Sequence, residues 1–327
     1  MPVLQAIQAD PAFILRFIQP IGPNFIEYFD RLRCARAEGF APVLQVDLCK
    51  PADFLVVLGD RYELLEYVAL TVKTNIALAH IHGGEETEGS FDNRVRHALS
   101  KLAHLHFVAH EDYAARLRQM GEESWRIYIT GSPALDLVKP RPCAGKHIMV
   151  AWQPVTLEQD KQVYYLEELQ AALDGLLLPI IAVGPNSDPG SVVIDASWRE
   201  WASSRPNVVY IPVMSPYQFW DLMANAAVLV GNSSAAFIEA ASFELACVNI
   251  GTRQTGRFVP PNVINVGYDR YAIKAGIAIA RSQRVREELR GMTNPLYKEG
   301  AAKQIVEVLK TTPLNDRLYR KQFVRVS

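Results

Sequence analysis

The feature that most constrains the fold is the alternation of short, continuously apolar runs with amphipathic segments along almost the whole chain. Runs at 54–58, 76–80, 106–109 and 126–130, preceded by 13–18 and 43–46, form a first series. A second series lies at 147–151, 179–183, 208–211, 227–230, 246–250 and 263–266. Most are apolar at every position rather than at alternate ones, the mark of parallel strands covered on both faces. Helical periodicity fills intervals such as 62–73, 93–103, 157–173 and 216–226. Repeated strand–helix–strand order predicts doubly wound α/β sheets. At 327 residues the chain is long for one core. The stretch LVKPRPCAGK, 137–146, carries prolines, a glycine and basic residues, and reads as a linker. The expected organisation is therefore two Rossmann-like domains facing a cleft, at 1–140 and 141–312, with a helix or tail at 313–327.

Several function classes fall away on composition. A net charge of −1 provides no global field for nucleic acid or an anionic membrane. No stretch approaches the roughly 18 consecutive apolar residues of a membrane span, and the start, MPVLQAIQADP, lacks the basic and apolar regions of a signal peptide. Cys34, Cys49, Cys143 and Cys247 are far apart and form no metal-ligand spacing, which reads as reduced thiols. The expectation is a soluble, cytoplasmic protein.

Two regions carry chemistry. In the second half, AVLVGNSSAAFIEAASFE (227–244) passes from a buried strand through Gly-Asn-Ser-Ser into a helix. Asn232 and Ser233 are N-cap residue types, and free N–H groups of a first helical turn bind anions. Glu239, too far on for a capping box, suits ribose hydroxyls. NIGTRQTGR (249–257) offers Arg253 and Arg257 for bidentate phosphate contact, and VGPNSDPGS (183–191) ends another strand with Asn186 in a turn. A plain strand-to-helix turn is the alternative for each loop singly; three anion-suited loops at strand ends together favour phosphate. Neither GxGxxG nor GxxxxGK[ST] is present, so a dinucleotide cofactor and a P-loop are not expected.

In the first half, VVLGDRYE (56–63) and AHIHGGEETEGSFDNRVRH (79–97) end strands with Asp60, Glu85 and Asp92 beside arginines and histidines. Every histidine except His147 falls between His80 and His110. Three readings stand: a metal site on His80, His82 and Glu85, with the histidines sharing a strand face; a solvated loop; or a set of acids for moving protons. Burial and neighbouring charges spread the pKa values of such a set, which suits acid–base work.

At these residues the chain resembles the hydrolysing UDP-N-acetylglucosamine 2-epimerases of sialic-acid and capsule pathways. The matching stretches are GDRYE (59–63), HIHGGEETEGSFDNRVRHALSKLAHLHFVAHEDYAARLRQMGE (80–122), GSPALD (131–136), QPVTLE (153–158), GNSS (231–234), IEAASF (238–243), NIGTRQTGR (249–257) and NPLYKEGAAKQIVEVLK (294–310), in family order. The resemblance implies a GT-B-like fold with UDP held mainly by the C-terminal domain. It implies Asp60, Glu85 and Asp92 as the catalytic acids. Arg61, Asn186, Ser233, Ser234, Glu239 and Arg253 are implied to hold UDP, with His82 and Gln153 also against the substrate. No metal or cofactor is implied; the partner is a UDP-sugar, and homodimerisation through the N-terminal domain is the family expectation.

Three departures accompany the match. Relatives begin with a strand and a TGTRADYG-like motif, whereas this N-terminus matches the following helix, so the N-terminal domain is expected without its first strand and that arginine. Residues 314–326 are a candidate cover for the sheet edge so exposed. A helix before GDRYE is also missing. Finally, Gln153 stands where relatives read histidine, and an amide neither carries charge nor donates a titrating proton. Losing a catalytic proton donor costs about 100- to 10,000-fold in rate. Two readings follow: an epimerase acting on UDP-N-acetylglucosamine or a modified UDP-HexNAc, and a relative that binds a UDP-sugar or a partner without catalysis. A glycosyltransferase would not carry the HGGE and GDRYE loops.

Overall fold

The computed structural model describes residues 2–10 and 53–325. In chain order its strands are β1 (Phe54–Leu58), β2 (Ala77–Ile81), β3 (Leu105–Val108), β4 (Ile127–Ile129), β5 (His147–Ala151), β6 (Ile180–Val183), β7 (Val208–Ile211), β8 (Ala226–Gly231), β9 (Cys247–Ile250) and β10 (Val263–Val266). Its helices are α1 (Pro2–Ala9), α2 (Leu64–Thr71), α3 (Asp92–Leu102), α4 (Glu111–Gln119), α5 (Gln162–Leu173), α6 (Ser191–Ser203), α7 (Pro216–Asn225), α8 (Ala235–Ile238), α9 (Arg270–Ala280), α10 (Gln283–Glu288), α11 (Ala301–Thr311) and α12 (Asp316–Tyr319). Each apolar run from residue 54 onward forms a strand within a residue or so of its expected bounds; the runs at 13–18 and 43–46 lie outside the described residues.

The chain divides into two compact units, each with its own parallel sheet. The first comprises the described residues of Met1–Gly84, Arg94–Asp136 and Glu299–Ser327. Its sheet runs β1-β2-β3-β4. Alternation along β2 sends Ala77, Ala79 and Ile81 to one face, where Val3 and Ile7 of α1 and Ile305 and Leu309 of α11 bury them. Leu78 goes to the other face with Val95 and Leu99 of α3. Helix α11 therefore closes this first sheet, although the sequence places 301–312 in the second domain. Its start explains how it is held: Asp136 accepts the N–H groups of Ala301 and Ala302 at 3.2 and 2.8 Å, satisfying two donors that the helix itself leaves open. The described part of 314–326 is fastened next to β4 and packs into the cluster that also holds Phe54 and Val56 of β1. Arg126 donates to the carbonyls of Leu318 and Arg317 at 2.8 Å each, and Leu318 is buried with α11.

The second unit comprises Glu85–Asn93 and Leu137–Lys298. Its sheet runs β10-β9-β8-β5-β6-β7, all parallel. Strand order reverses between β5 and β8, and the loops leaving their C-terminal ends flank that switch point, where open α/β sheets bind ligands. The expected linker, 137–146, is bound into this unit: Ala144 and Lys146 donate to the carbonyls of Ala224 and Asn225 at 2.9 and 2.8 Å. Among the described residues no helix is long and apolar enough to cross a membrane.

Replacing Asp136 by alanine is expected to lower stability by about 1–2 kcal/mol, the usual cost of a lost helix cap, while asparagine retains most of it. Thermal melts of both variants check this; equal melting temperatures for Asp136→Ala and the parent would remove the capping role.

Candidate functional site

The loops at the switch point are fastened by amides. Asn232, fully buried after β8, accepts the Gln153 N–H at 2.6 Å and donates to the Gln153 carbonyl at 2.9 Å. Its side chain thus pins the loop after β5 rather than capping a helix. The sequence also predicts an N-terminal anion site on the helix that follows, but α8 is only 4 residues long and Ser234 at its N-cap makes no capping bond. Ser233 Oγ instead accepts the Ala235 N–H at 3.3 Å. Ser233 and Ser234 are half-buried at this turn, as is Glu239 at the end of α8. Gln153 Oε1 accepts the Asn186 N–H at 2.6 Å, joining the loop after β6 to the one after β5.

Arg253 gathers the same loops from β9. Its Nε donates to the Pro154 carbonyl at 3.1 Å and its Nη1 to the Asn232 carbonyl at 3.3 Å, while Nη2 lies 3.9 Å from Asp188 Oδ2. Gln153, Asn186, Ser233, Ser234, Glu239 and Arg253 therefore belong to one unit, with Gln153, Asn186, the Ser233 turn and Arg253 following the C-terminal ends of β5, β6, β8 and β9.

Segment 85–93 packs against these loops. The Glu88 N–H donates to the Thr255 carbonyl at 3.1 Å, and the Phe91 N–H to Thr156 Oγ1 at 3.2 Å. Gly89 lies so close to the arginine loop that a Cβ would stand 2.6 Å from Arg253 Cα. Glu85 is almost fully buried and ion-paired with Arg257, itself 8% exposed at the side chain. Asp92 accepts a hydrogen bond from Ser90 Oγ at 2.7 Å and opens α3, where the helix dipole favours its negative charge. Glu85 and Asp92 thus pack with the loops of the second sheet, not with domain 1–140 as the sequence suggests, because these hydrogen bonds and the Arg257 pair hold them there. Arg257, grouped with Arg253 as a phosphate ligand on sequence, serves Glu85. Thr156 and Ser90 carry contacts that residue type alone does not mark; only the QPVTLE and 80–122 stretches point to their neighbourhoods.

Asp60, Arg61 and His82 belong to the first unit. Asp60 is ion-paired with buried Arg96 of α3, while Arg61 is exposed and donates to Glu63 at 2.6 Å. Strand β2 stops at Ile81, and His82 turns to φ 65° with its Nε2 3.5 Å from Ser132 Oγ. His80 and His82 therefore share no strand face. Both ring nitrogens of His80 are engaged inside the unit, at 2.8 Å from the Gly59 carbonyl and 3.1 Å from Ser100 Oγ, so the metal reading loses its first ligand. Among the described residues no three His, Cys, Asp or Glu side chains stand together as a metal-binding group.

Three of the other crowded histidines are structural as well. His104 Nδ1 accepts the Leu78 N–H at 2.9 Å, His106 lies 3.1 Å from buried Glu122, and His110 caps α4.

The sequence match to the UDP-N-acetylglucosamine 2-epimerase family spans residues 38–310. The chain belongs to that family. A UDP-N,N'-diacetylbacillosamine 2-epimerase (hydrolyzing) of Legionella pneumophila is 34% identical over 299 residues, covering 86% of this chain and 76% of the relative. The polysialic acid biosynthesis protein P7 of Escherichia coli is 30% identical, over 79% of this chain and 70% of that one. The fold is shared with the Neisseria meningitidis UDP-GlcNAc 2-epimerase, solved bound to UDP-GlcNAc: TM-score 0.67 at 16% identity, covering 80% of this chain and 76% of that one.

Burial pushes the pKa of His80 down to about 3 and, with Lys321 and Arg126 nearby, that of His104 to about 4. Burial also lowers His106, against the pull of Glu122. Burial opposes the charge of Glu122 itself, but hydrogen bonds from His106, Lys101 and Lys321 outweigh it and hold the carboxyl at about 2. All four groups bind protons more readily in the unfolded chain, so this family member is expected to lose stability as pH falls. The histidine contribution begins near the ordinary value of 6.5 and runs to between 4 and 3; that of Glu122 runs from 4.5 to about 2. Melting temperature followed from pH 8 to pH 4 (about two units either side of histidine's usual range) should fall on the acid side, and a constant value would contradict this.

Proposed function

We propose that the chain is a hydrolysing UDP-HexNAc 2-epimerase, converting UDP-N-acetylglucosamine, or a relative with a further acylamino group, into UDP and the free 2-epimeric sugar. The observation that carries this is the packing of Glu85 and Asp92 against loops 153–156, 231–234 and 251–257 in one unit, in a chain 34% identical to a hydrolysing 2-epimerase.

The C2 proton of the sugar is only weakly acidic, so its removal must coincide with departure of the diphosphate from C1. A carboxylate takes the proton, the C2–H electrons become the C1=C2 bond, and the C1–O electrons leave with UDP. Water then adds across the glycal, hydroxyl to C1 and proton to the opposite face of C2. Asp60, Glu85 and Asp92 supply the carboxylates for proton transfer and for developing positive charge at C1. Arg253 supplies positive charge for the leaving diphosphate, with Ser233 and Ser234 as hydroxyl donors and Glu239 for the ribose. Asn186, Arg61 and His82 complete the nucleotide and sugar contacts. Gln153 holds the Asn186 loop and offers its amide N–H to the same oxygens.

Purified protein incubated with UDP-N-acetylglucosamine and UDP-N,N'-diacetylbacillosamine is expected to release UDP, read by anion-exchange chromatography, and in deuterium oxide to place deuterium at C2 of the product. Asp60→Asn, Glu85→Gln and Asp92→Asn should each lower kcat by about 100- to 10,000-fold. Folded protein that binds UDP yet turns over neither substrate is instead a binding module.

A further inference from the structure

Gly59 and Asp60 follow β1, and Gly59 is held by β2 at both of its backbone polar groups. Its N–H donates to the Ile81 carbonyl at 2.9 Å, and its carbonyl lies 2.8 Å from His80 Nε2. A carbonyl only accepts, so Nε2 carries the proton. In a neutral ring Nδ1 must then accept, and it faces Ser100 Oγ at 3.1 Å. Ser100 stands one turn beyond Arg96 on α3, so one helix face presents the hydroxyl that orients the imidazole and the guanidinium that pairs with Asp60.

The clamp needs space that the sequence provides. A Cβ on Gly83 would stand 2.9 Å from both His80 Nδ1 and Ser100 Oγ, between the two partners. His80 and Ser100 are fully buried and Arg96 nearly so. A ring that changed charge there would lose its Nδ1 acceptor and confront Arg96; burial keeps it neutral down to about pH 3.

We propose that His80 is a positioning residue for Asp60: as the Nε2–H tautomer, fixed by Ser100, it clamps the Gly59 carbonyl and with Arg96 sets where the Asp60 carboxylate points. This rests on Asp60 acting in the proposed epimerase reaction. The role is geometric, and a misplaced catalytic group of about 1 Å costs on the order of 100-fold in rate.

Steady-state kinetics of His80→Asn, His80→Gln and Gly83→Ala, with thermal melts of each, test it. Glutamine places an amide N–H near the old Nε2 position, whereas asparagine reaches only the Nδ1 position. His80→Asn and Gly83→Ala should lower kcat roughly 10- to 100-fold with KM nearly unchanged, and His80→Gln should recover most of the loss. Equal effects of Asn and Gln, or kcat and KM changing together in step with the melting temperature, would overturn the clamp. If the parent protein turns over no UDP-sugar, the functional reading fails instead. The clamp is then decided by nitrogen NMR of His80: an Nε2–H tautomer at neutral pH sustains it, and an Nδ1–H tautomer ends it.

Discussion

The buried pairing of Glu85 with Arg257 is the contact on which the rest of the candidate site depends. It ties segment 85–93, which leaves β2, to the loop leaving β9. Removing one partner of such a pair strands a charge in a nearly dry place, typically at about 3–5 kcal/mol. The neighbouring backbone bonds, Glu88 to Thr255 and Phe91 to Thr156, repeat the same attachment without charge. An acid held this way has its direction fixed before any ligand arrives, which is what charge stabilisation in a reaction requires.

Division of roles among the arginines follows from what each already touches. Arg257 faces a carboxylate and Arg96 another, so their charges are committed inside the protein. Arg253 donates to the Pro154 and Asn232 carbonyls and lies 3.9 Å from Asp188 Oδ2, so it gathers three loops at the C-terminal end of the second sheet, beside its switch point.

Much of this was legible in the sequence, and what was not has physical causes. The continuous apolar run at 147–151 gave β5 its bounds to the residue, because a strand buried on both faces leaves no exposed position to blur the pattern. The acids and the anion-suited loops were visible as residue types behind strands. Which unit each joins was not, since that depends on contacts between residues far apart in the chain, such as Phe91 with Thr156 or Ala301 with Asp136. The histidine crowding left its readings open in the sequence. His80, His104 and His106 are spaced as strand and turn residues would be, and only their partners show that they satisfy buried groups rather than bind a metal. The short α8 likewise could not be anticipated, because Ala-Ala-Phe-Ile-Glu-Ala-Ala reads as a longer helix on propensity alone.

Gln153 joins two loops through both its backbone and its side chain. Its backbone is held twice by Asn232, and its side-chain oxygen holds the Asn186 N–H. The contact needs an acceptor on residue 153 that is present at every pH. An imidazole in the same place would accept only in its neutral form, so protonation would release the Asn186 loop. An amide never gains that charge, and its nitrogen always remains a donor. The amide therefore makes the join between the β5 and β6 loops indifferent to pH. In the proposed reaction proton transfer falls to Asp60, Glu85 and Asp92, the groups that the buried arginines and Ser90 hold in place.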